Sequence, residues 1–424
     1  MSIEKINLVA ADMGYGHFRA AYPLLDIASG NKIISINGYE GIPGWEKKYW
    51  ENSLKSYEKI SRLKKIPFLG DLVFAIMDAF QKIDPFYPQR DLSKPTTQEK
   101  FFYRQVDKGL GKDLVEKLNK SNLPFLTTFF VAAYFAEAQK FNGKIYCVIC
   151  DTDASRAWAN LNSKQTKVIY LLPSEKVKER FMMYGVSENN LIVTGFPLPK
   201  ENIGENKEIL EADLAVRLNR LDPRGIYFEK YSSLIKNYLP TGVASPRPLT
   251  ITYAVGGAGA QKEIGLTILR KLKDRIIGGT LAVNLVAGNR PEIKAYFENG
   301  IKELGLEANN NVHVIFDADK IEYFRKFNQT LRTTDILWTK PSELSFYCAL
   351  GLPIIMCEPV GSQEVFNHEW LVEQGAGIDM RNAEYVNEWL PDLLESGRLA
   401  RAAMDGFLNA ETMGTYNINK IFNQ

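Results

Sequence analysis

Short apolar runs alternate with amphipathic stretches along the first half of this chain. Between the first two runs, the residues from Ala20 to Ala28 have the pattern of a helix. Strand-length runs joined by helical stretches predict parallel strands with helices as the crossover connections. The apolar runs are INLVAA (6–11), KIISI (32–36), PFLTTFF (124–130), IYCVIC (145–150) and TKVIYLL (166–172).

The second half repeats this opening after YLPTGVASPRP (238–248), a segment rich in turn-forming residues. The run LTITYAV (249–255) leads into the glycine turn GGAGA (256–260) and a helical stretch (261–272). The repeat predicts an α/β fold of two Rossmann-like domains facing each other across a cleft, where a ligand is expected. The apolar runs that follow are LAVNLVAG (281–288), VHVIF (312–316), DILWT (335–339) and PIIMC (353–357).

The amino-acid composition argues against several classes of function. The 424 residues, 45% of them apolar, suffice for two or three domains with sizeable cores. The 52 basic and 50 acidic side chains give a net charge of +2, so no global field indicates a nucleic acid partner. No secretory signal pattern follows Met1, and the nearly uncharged stretch 123–136 is shorter than the roughly 20 residues of a membrane span. We expect a cytoplasmic protein whose four cysteines are buried and reduced.

The first glycine turn, DMGYGHFRAA (12–21), is a candidate for a dinucleotide-binding site. That site requires G-x-G-x-x-G and an acidic residue at the end of the second strand. Here the third glycine position holds Arg19, and the second strand ends near Asn37 with Glu40 beyond it. A nicotinamide cofactor is therefore disfavoured, and no cofactor or metal is expected. The turn GGAGA is by itself weak evidence for a nucleotide-binding site, because such turns also let a helix pack close to a strand.

Several segments, in one order and spacing, resemble glycolipid-forming glycosyltransferases of the GT-B fold. The similarity is to the monogalactosyldiacylglycerol synthase and bacterial diacylglycerol glucosyltransferase group and, more distantly, to the muropeptide N-acetylglucosaminyltransferase. The last segment is the most specific. The segments are DMGYGHFRAA (12–21), ICDTDASRAW (149–158), LLPSEKVKERFMMYGVSENNLIVTGFPLP (171–199), VGGAGA (255–260), TDILWTKP (334–341) and GLPIIMCEPVGSQEVFNHEWLVEQGAG (351–377).

The resemblance implies a domain plan and an acceptor side. We expect an N-terminal domain over 1–200 with an insertion at about 40–120, a linker over 201–247, a C-terminal domain over 248–409 and a final helix (410–424) returning to the first domain. His17 inherits the position of the histidine beside the reacting centre, where a near-neutral pKa suits a base; a helix-capping role is the alternative. Asp151 is expected to assist it. The residues expected at the acceptor are Gly14, Tyr15, Gly16 and Asp153, the last with an Asx turn or N-cap as an equal alternative.

On the donor side, the resemblance implies a nucleotide diphosphate sugar held without a metal. The sequence departs from the family pattern on both the donor and the acceptor side. The motif Thr-Lys-Pro is followed by Ser342 and Glu343 without the usual glycine pair, Phe346 replaces a ribose-binding glutamate, and Tyr15 replaces a glycine in the first turn. Lys200 stands beside the position of a diphosphate-binding arginine. The expected donor-binding residues are Lys200, Gly256, Gly257, Gly259, Ser342, Glu343, Gln363, Glu364 and Asn367.

The insertion carries a basic amphipathic stretch at 47–65. Trp50, Leu54, Tyr57 and Ile60 fall at helical spacing beside a basic face. This pattern is typical of a helix lying on an anionic membrane surface, and equally of a helix packed on the core with its lysines in solvent. The expected membrane contacts are Lys47, Lys48, Trp50, Lys55, Lys59 and Arg62.

The resulting hypothesis is an inverting glycosyltransferase that moves a hexose or N-acetylhexosamine, most simply from a UDP-sugar, to a lipid or other hydrophobic acceptor. It is expected to be cytoplasmic, with peripheral membrane association. Two alternatives stay open: a non-hydrolysing nucleotide-sugar epimerase, and a nucleotide-binding protein that has lost transfer. The sequence does not specify the oligomeric state.

Overall fold

The computed structural model describes residues 4–63, 82–240, 246–256, 259–359 and 362–423. These residues form two compact units. The first contains the described residues up to 197, together with 413–423, and the short segment 362–366 groups with it. The second contains the remainder, from residue 198 to 359 and from 367 to 412.

The first unit is built on a six-stranded parallel sheet with the strand order β2-β1-β3-β4-β5-β6. Most of its strands are buried along their length, as expected when helices cover both faces of a parallel sheet. The strands are β1 (Asn7–Ala10), β2 (Ile34–Ser35), β3 (Phe125–Thr127), β4 (Ile145–Val148), β5 (Val168–Leu172) and β6 (Leu191–Val193).

Helices connect these strands. The predicted helix over 20–28 is shorter and starts earlier: α1 ends at Ala21, and a 3₁₀ turn with Pro23 in its first turn continues it. The helices of this unit are α1 (Gly16–Ala21), α2 (Gly44–Leu63), α3 (Thr97–Asp107), α4 (Lys112–Leu118), α5 (Phe130–Ala138) and α6 (Glu175–Met183), with 3₁₀ turns at Tyr22–Leu24, Ser29–Asn31, Arg156–Trp158, Ser163–Gln165 and Glu188–Asn190.

The second unit repeats the arrangement with the strand order β12-β11-β10-β7-β8-β9. Its pairings are all parallel, and β7 and β8 are buried throughout. The strands are β7 (Leu249–Ala254), β8 (Leu281–Gly288), β9 (Val312–Phe316), β10 (Ile336–Thr339), β11 (Ile354–Met356) and β12 (Gly377–Asp379), the last of which the apolar pattern did not predict.

The expected linker over 201–247 is wrong for the described residues 201–240, and 241–245 lie outside the described residues. The chain there forms α7 (Glu208–Leu221) and α8 (Ile226–Tyr238), which belong to the second unit. Arg217 of α7 is fully buried, and its guanidinium donates to the carbonyl oxygens of Thr334, Leu350 and Gly351. Charged residues on the outer face of α7 conceal this buried side in the sequence, which is why the segment resembles a linker.

The remaining helices complete the second unit and return the chain to the first. They are α9 (Lys262–Lys271), α10 (Lys273–Ile277), α11 (Pro291–Glu303), α12 (Lys320–Leu331), α13 (Ser362–Glu373), α14 (Val386–Glu395), α15 (Arg398–Asn409) and α16 (Gly414–Ile421), with 3₁₀ segments at Lys200–Asn202, Glu343–Leu350 and Ala383–Tyr385. The helix α16 lies in the first unit, where Asn417 Nδ2 donates to Thr194 O at 3.0 Å and the Phe422 ring packs on Tyr146 at 4.9 Å.

All four cysteines are free and buried, as expected. Burial raises the pKa of the Cys147 and Cys348 thiols, which keeps them protonated and unreactive. Among the described residues, no helix combines the length and the apolar character needed to cross a membrane.

The helix α2 is docked on the core of the first unit at its N-terminal end. Trp50 is only 5% exposed and packs against Phe135 of α5 at 6.3 Å between ring centroids. The expectation that Trp50 contacts a membrane is therefore wrong, because the apolar stripe at this point faces the protein. Lys47 and Lys48 are exposed. The side chains of Lys55, Lys59 and Arg62 lie outside the described residues.

Glu46 lies one helical turn before Trp50 and is fully buried, at 0% exposure. Neither carboxylate oxygen has a hydrogen-bond partner of normal geometry among the described residues, although the Gly111 N–H and the Trp50 indole face it. Desolvation and the nearby Asp113 together raise the pKa of Glu46 to about 7, against the opposing effects of the Gly111 N–H, the Trp50 indole and Lys117. The neutral carboxyl is consequently the form that this part of the core favours.

Glu46 should make the docking of α2 depend on pH. A carboxyl that binds its proton more tightly in the folded chain stabilises the fold fully below its unfolded pKa of 4.5, and loses this contribution as pH rises to about 7. At about 1.4 kcal/mol per pH unit, the free energy of opening of α2 should fall by about 3 kcal/mol over this interval. Hydrogen-exchange protection factors of the amides in Gly44–Leu63, compared between these pH values, measure this free energy of opening.

The substitution Glu46→Gln, which keeps the shape and removes the titration, should flatten this dependence. Glu116→Gln on α4 is the matched control, because the Glu116 carboxylate is 63% exposed. Equal pH slopes in wild type and Glu46→Gln would show that Glu46 does not titrate between the docked and open states.

Candidate functional site

The carboxyl edge of the first sheet carries His17. Strand β1 ends at Ala10, and the chain turns through Gly14, whose φ of 149° lies in a region that side chains rarely adopt. The helix α1 then begins at Gly16 and places His17 inside its first turn, not at a cap. The neighbouring strand β3 ends at Thr127, so Thr128 lies beside His17.

Two hydrogen bonds hold His17 against this neighbour. The Nδ1 atom of His17 lies 2.6 Å from the carbonyl oxygen of Thr128, and the Thr128 hydroxyl donates to the His17 carbonyl at 2.8 Å. A carbonyl oxygen only accepts, so Nδ1 carries the proton in this contact. In the neutral ring, Nε2 therefore bears the lone pair, which is the arrangement that a general base requires. The Phe129 ring packs on the imidazole at 4.7 Å.

The two aspartates after β4 have different environments. Asp151 is half-buried in the bend that follows the strand. The side chain of the preceding residue, Cys150, lies 3.4 Å from the same Thr128 carbonyl that holds His17. Asp151 is therefore at the same edge of the sheet as the histidine.

The expectation that Asp153 binds the acceptor is wrong. Asp153 is 3% exposed and forms a two-point ion pair with Arg180, with distances of 2.9 Å to Nε and 2.7 Å to Nη2. Burial disfavours the charged guanidinium, but the hydrogen bonds and charge of Asp153 outweigh this and raise the pKa of Arg180. One oxygen of Asp153 also accepts from the Ala154 N–H. The carboxylate therefore holds α6 to the loop after β4.

The residues of the glycine turn before His17 differ in their exposure to solvent. Gly14 is exposed and Gly16 half-buried, whereas Tyr15 is 8% exposed. The Tyr15 ring thus belongs largely to the core of the first unit.

The carboxyl edge of the second sheet carries the other glycine turn. Gly259 has a φ of 72°, and a Cβ there would lie 3.0 Å from Ile293, so glycine suits both the conformation and the space. A Cβ at Gly256 would lie 2.6 Å from Cε of Lys340, so the end of this flexible side chain lies against the glycine. Gly257 lies outside the described residues. The turn leads into the N-terminus of α9 at Lys262.

Lys340 is absent from the donor residues that the sequence pattern predicts. It follows β10, which pairs with β7, so the two strands end side by side. The available signal was its position directly after a buried strand, in the motif Thr-Lys-Pro. Only the strand order reveals that this strand ends beside the glycine turn.

The segment after Pro341 is a 3₁₀ helix, Glu343–Leu350, instead of a regular α-helix. Ser342 precedes it without a capping side-chain hydrogen bond, and Glu343 is half-buried in its first turn. Phe346, which replaces the family's glutamate, is 5% exposed and packs on Trp370 at 5.1 Å. The replacement therefore fills core volume.

The helix α13 carries the remaining donor candidates. Gln363 and Asn367 are four residues apart and so lie on one side of this helix. Asn367 is 2% exposed, and the buried Nε2 of Gln363 has no hydrogen-bond partner among the described residues. Glu364 is half-buried. The following residue in the motif, His368, contacts Asp379 of β12 through Nε2 and ties the helix to the sheet.

Lys200 lies in the 3₁₀ turn Lys200–Asn202, which belongs to the second unit. Asn202 Nδ2 in this turn donates to Asn328 O of α12 at 2.9 Å. Across the part of the chain that the structure describes, no group of three or more His, Cys, Asp or Glu side chains is arranged to hold a metal ion.

Comparisons with known proteins confirm the resemblance. A family model described as "Domain of unknown function (DUF6938)" matches residues 292–421. The chain is 21% identical over 403 residues to a processive diacylglycerol beta-glucosyltransferase of Bacillus subtilis, covering 92% of this chain and 87% of the relative. It is 23% identical over 305 residues to the protein of the same name in Staphylococcus saprophyticus, covering 71% and 66%.

A solved structure supports the fold. The crystal structure of Acinetobacter baumannii MurG matches 99% of both chains with a TM-score of 0.50 and 13% identity. Together with the two six-stranded parallel sheets, this likeness shows a GT-B type of α/β fold.

The contrast between the two aspartates is testable by stability. Asp153→Asn leaves the Arg180 guanidinium buried without a counter-charge and should lower the free energy of unfolding by about 3 kcal/mol or more. Asp151→Asn, at a half-buried site, should change it by less than about 1 kcal/mol. Urea unfolding followed by circular dichroism measures both. Equal losses would mean that the Asp153–Arg180 pair does not carry the stability assigned to it.

Proposed function

We propose that this protein is an inverting glycosyltransferase that moves a sugar from a nucleotide diphosphate donor, most simply a UDP-sugar, to a hydroxyl of a lipid acceptor. The observation that carries the proposal is the contact between His17 Nδ1 and the Thr128 carbonyl. It gives the ring a defined tautomer at the carboxyl edge of a parallel sheet, where ligands of such folds bind. Similarity to diacylglycerol glucosyltransferases over most of the chain supports the same class of reaction.

In the proposed step, the acceptor oxygen attacks the anomeric carbon of the sugar from the face opposite the diphosphate. The new C–O bond forms while the bond from the anomeric carbon to the diphosphate oxygen breaks, and that bonding pair leaves with the nucleotide. The acceptor proton passes to Nε2 of His17. A single displacement of this kind inverts the anomeric configuration.

The hydrogen bond from the His17 imidazole to the Thr128 carbonyl assists this chemistry in a second way. When Nε2 gains the proton, the ring becomes a cation, and the Thr128 carbonyl dipole stabilises the Nδ1–H that already points at it. Asp151, at the same edge, adds negative charge that favours the protonated ring. We assign Asp151 this electrostatic role, which requires no direct contact with the acceptor.

We assign the donor to the carboxyl edge of the second sheet. The turn with Gly256 and Gly259 leads to the N-terminus of α9, which favours negative charge. Gln363 and Asn367 on α13 are assigned to the sugar, and the unsatisfied Nε2 of Gln363 supports this because a buried amide requires an acceptor. Ser342, Glu343 and Glu364 are assigned supporting contacts, with Glu343 nearest in sequence to the lost ribose glutamate.

The acceptor class follows from the relatives, whose names specify diacylglycerol. We propose a lipid hydroxyl acceptor, with Gly14 and Gly16 leaving room at the turn and the Phe129 ring providing an apolar neighbour of the reacting group. A protein that acts on such an acceptor must meet a membrane surface. The exposed Lys47 and Lys48, at the start of a helix continued by Lys55, Lys59 and Arg62, support binding to anionic lipid.

Membrane binding should depend on these lysines. Vesicles containing a fifth to a half anionic lipid should co-sediment the protein at low salt. Lys47→Glu with Lys48→Glu should weaken this binding about 30-fold or more, since each basic residue near the surface contributes about 1 kcal/mol. A matched double variant, Lys144→Glu with Lys302→Glu, changes the same charge at exposed positions elsewhere and should bind as wild type does. Equal loss in both variants would indicate nonspecific attraction alone.

The reaction itself is tested by nucleotide release. Wild type is incubated with a panel of nucleotide sugars, with and without diacylglycerol vesicles, and release of the nucleoside diphosphate should require the acceptor. His17→Ala should lower turnover by about 10²-fold or more, because proton removal by a positioned base contributes at least this much. Its donor affinity should stay close to that of wild type, since His17 lies on the other sheet.

The other outcomes discriminate the alternatives. Interconversion of the sugar without acceptor would replace transfer by epimerisation. Tight nucleotide binding with neither activity would indicate a protein that retains the fold and has lost transfer, consistent with the core role of Phe346. An unchanged rate in His17→Ala would remove His17 from the mechanism.

A further inference from the structure

The neighbourhood of Gly256 contains a feature that the proposed function does not use. Strands β7 and β10 are paired in parallel register, with Ala254 opposite Thr339. The Thr339 hydroxyl donates to the Ala254 carbonyl at 3.1 Å, which closes the end of the pair. The next residue on one strand is Lys340, and the glycine turn begins two residues beyond Ala254 on the other.

The side chain of Lys340 lies directly over Gly256. A Cβ built on this glycine would be 2.6 Å from Cε, 3.1 Å from Cδ and 3.6 Å from Nζ of the lysine. Gly256 is not among the glycines with positive φ, so its conformation does not require glycine. A Cβ there would instead displace the end of the flexible lysine side chain from its position. The bare backbone at this position and the lysine are therefore parts of one arrangement.

This arrangement puts an ammonium group beside a turn that precedes a helix N-terminus. The helix α9 contributes the positive end of its dipole, and Lys340 contributes a full charge at the edge of the sheet where β7 and β10 both end. A diphosphate that leaves without its sugar gains negative charge, which fixed cations stabilise. An ammonium is a compact point charge that can follow a phosphate oxygen during bond cleavage.

We propose that Lys340 binds the diphosphate of the nucleotide sugar and stabilises it as it leaves. This assignment rests on the proposed function and adds a named cation to it. Lys200, the cation expected from the sequence, lies in a separate 3₁₀ turn attached to α12 through Asn202. Lys340, in contrast, has its side chain against Gly256 of the glycine turn.

The test compares nucleoside diphosphates with nucleosides. Wild type is titrated by calorimetry with UDP, dTDP, GDP and ADP, and the tightest of these is then compared with its nucleoside. Lys340→Met keeps most of the stem and removes the charge. It should weaken binding of the diphosphate about 10- to 100-fold, as expected for loss of a charge-assisted hydrogen bond, and leave nucleoside binding unchanged. Lys302→Met, at an exposed position of the same unit, is the matched control and should keep the wild-type preference, while Lys200→Met tests the cation expected from the sequence.

A second variant tests the packing. Gly256→Ala places a methyl group where the Lys340 stem lies and should reproduce the selective loss for the diphosphate. The double variant Gly256→Ala with Lys340→Met should lose little more than either change alone, because both remove the same interaction. In the transfer assay, Lys340→Met should lower kcat as well as donor affinity, since the leaving group carries more charge than the bound donor.

The outcomes separate the two levels of proposal. If wild type binds a nucleoside diphosphate and Lys340→Met binds it equally well, the role of Lys340 is overturned while the transferase proposal stands. If Lys200→Met instead loses the diphosphate preference, Lys200 is the cation. If wild type binds none of the diphosphates better than the nucleosides, the transferase proposal and the role of Lys340 both fail.

Discussion

Parallel strand pairing is the constraint on which the rest of this structure depends. In a parallel sheet, every strand ends at the same edge, so residues distant in sequence meet wherever their strands are neighbours. The pairing of β1 with β3 brings His17 to Thr128, across 111 positions of sequence. The pairing of β7 with β10 brings the glycine turn to Lys340. Each half of the proposed chemistry is therefore produced by the same backbone rule, applied once in each unit.

Several buried charged residues form ion pairs or hydrogen bonds that hold the fold together. The polar side chains outside these contacts are the candidates for binding and catalysis. Asp153 is held by Arg180, and Glu99 is held by Arg156, which also donates to surrounding carbonyl oxygens. Arg217 of α7 donates to the backbone carbonyl oxygens of Thr334 and Leu350, which lie next to strands of the second sheet. Removing one partner of such a pair leaves an uncompensated buried charge, so these residues are constrained by stability. Asp151, two residues from Asp153, is only half-buried in the bend after β4, and this difference in burial separates two aspartates that look equivalent in the sequence.

The basic amphipathic segment illustrates how one pattern fits two environments. An apolar stripe at helical spacing is the same whether it faces lipid or a protein core. At Trp50 the core is the partner, and Glu46 beside it is buried so completely that its pKa rises to about 7. Lys47 and Lys48 remain exposed on the other side of the same turn. The start of this helix therefore matches the second interpretation, a helix packed on the core with its lysines in solvent, and the proposed lipid contact depends on the lysines and not on the apolar stripe.

The sequence by itself determined the α/β class, the positions of nearly all the strands, the two glycine turns and the placement of His17 after the first strand. These features follow from local patterns of apolar residues and from turn chemistry, which are written along the chain. Only the tertiary structure decided that the segment 208–238 forms packed helices, that Asp153 is an ion-pair partner, that Trp50 is a core residue and that Lys340 lies over Gly256. Each of these depends on a partner more than 20 residues away or on which face of a helix is covered, and neither strand order nor burial is encoded in local periodicity.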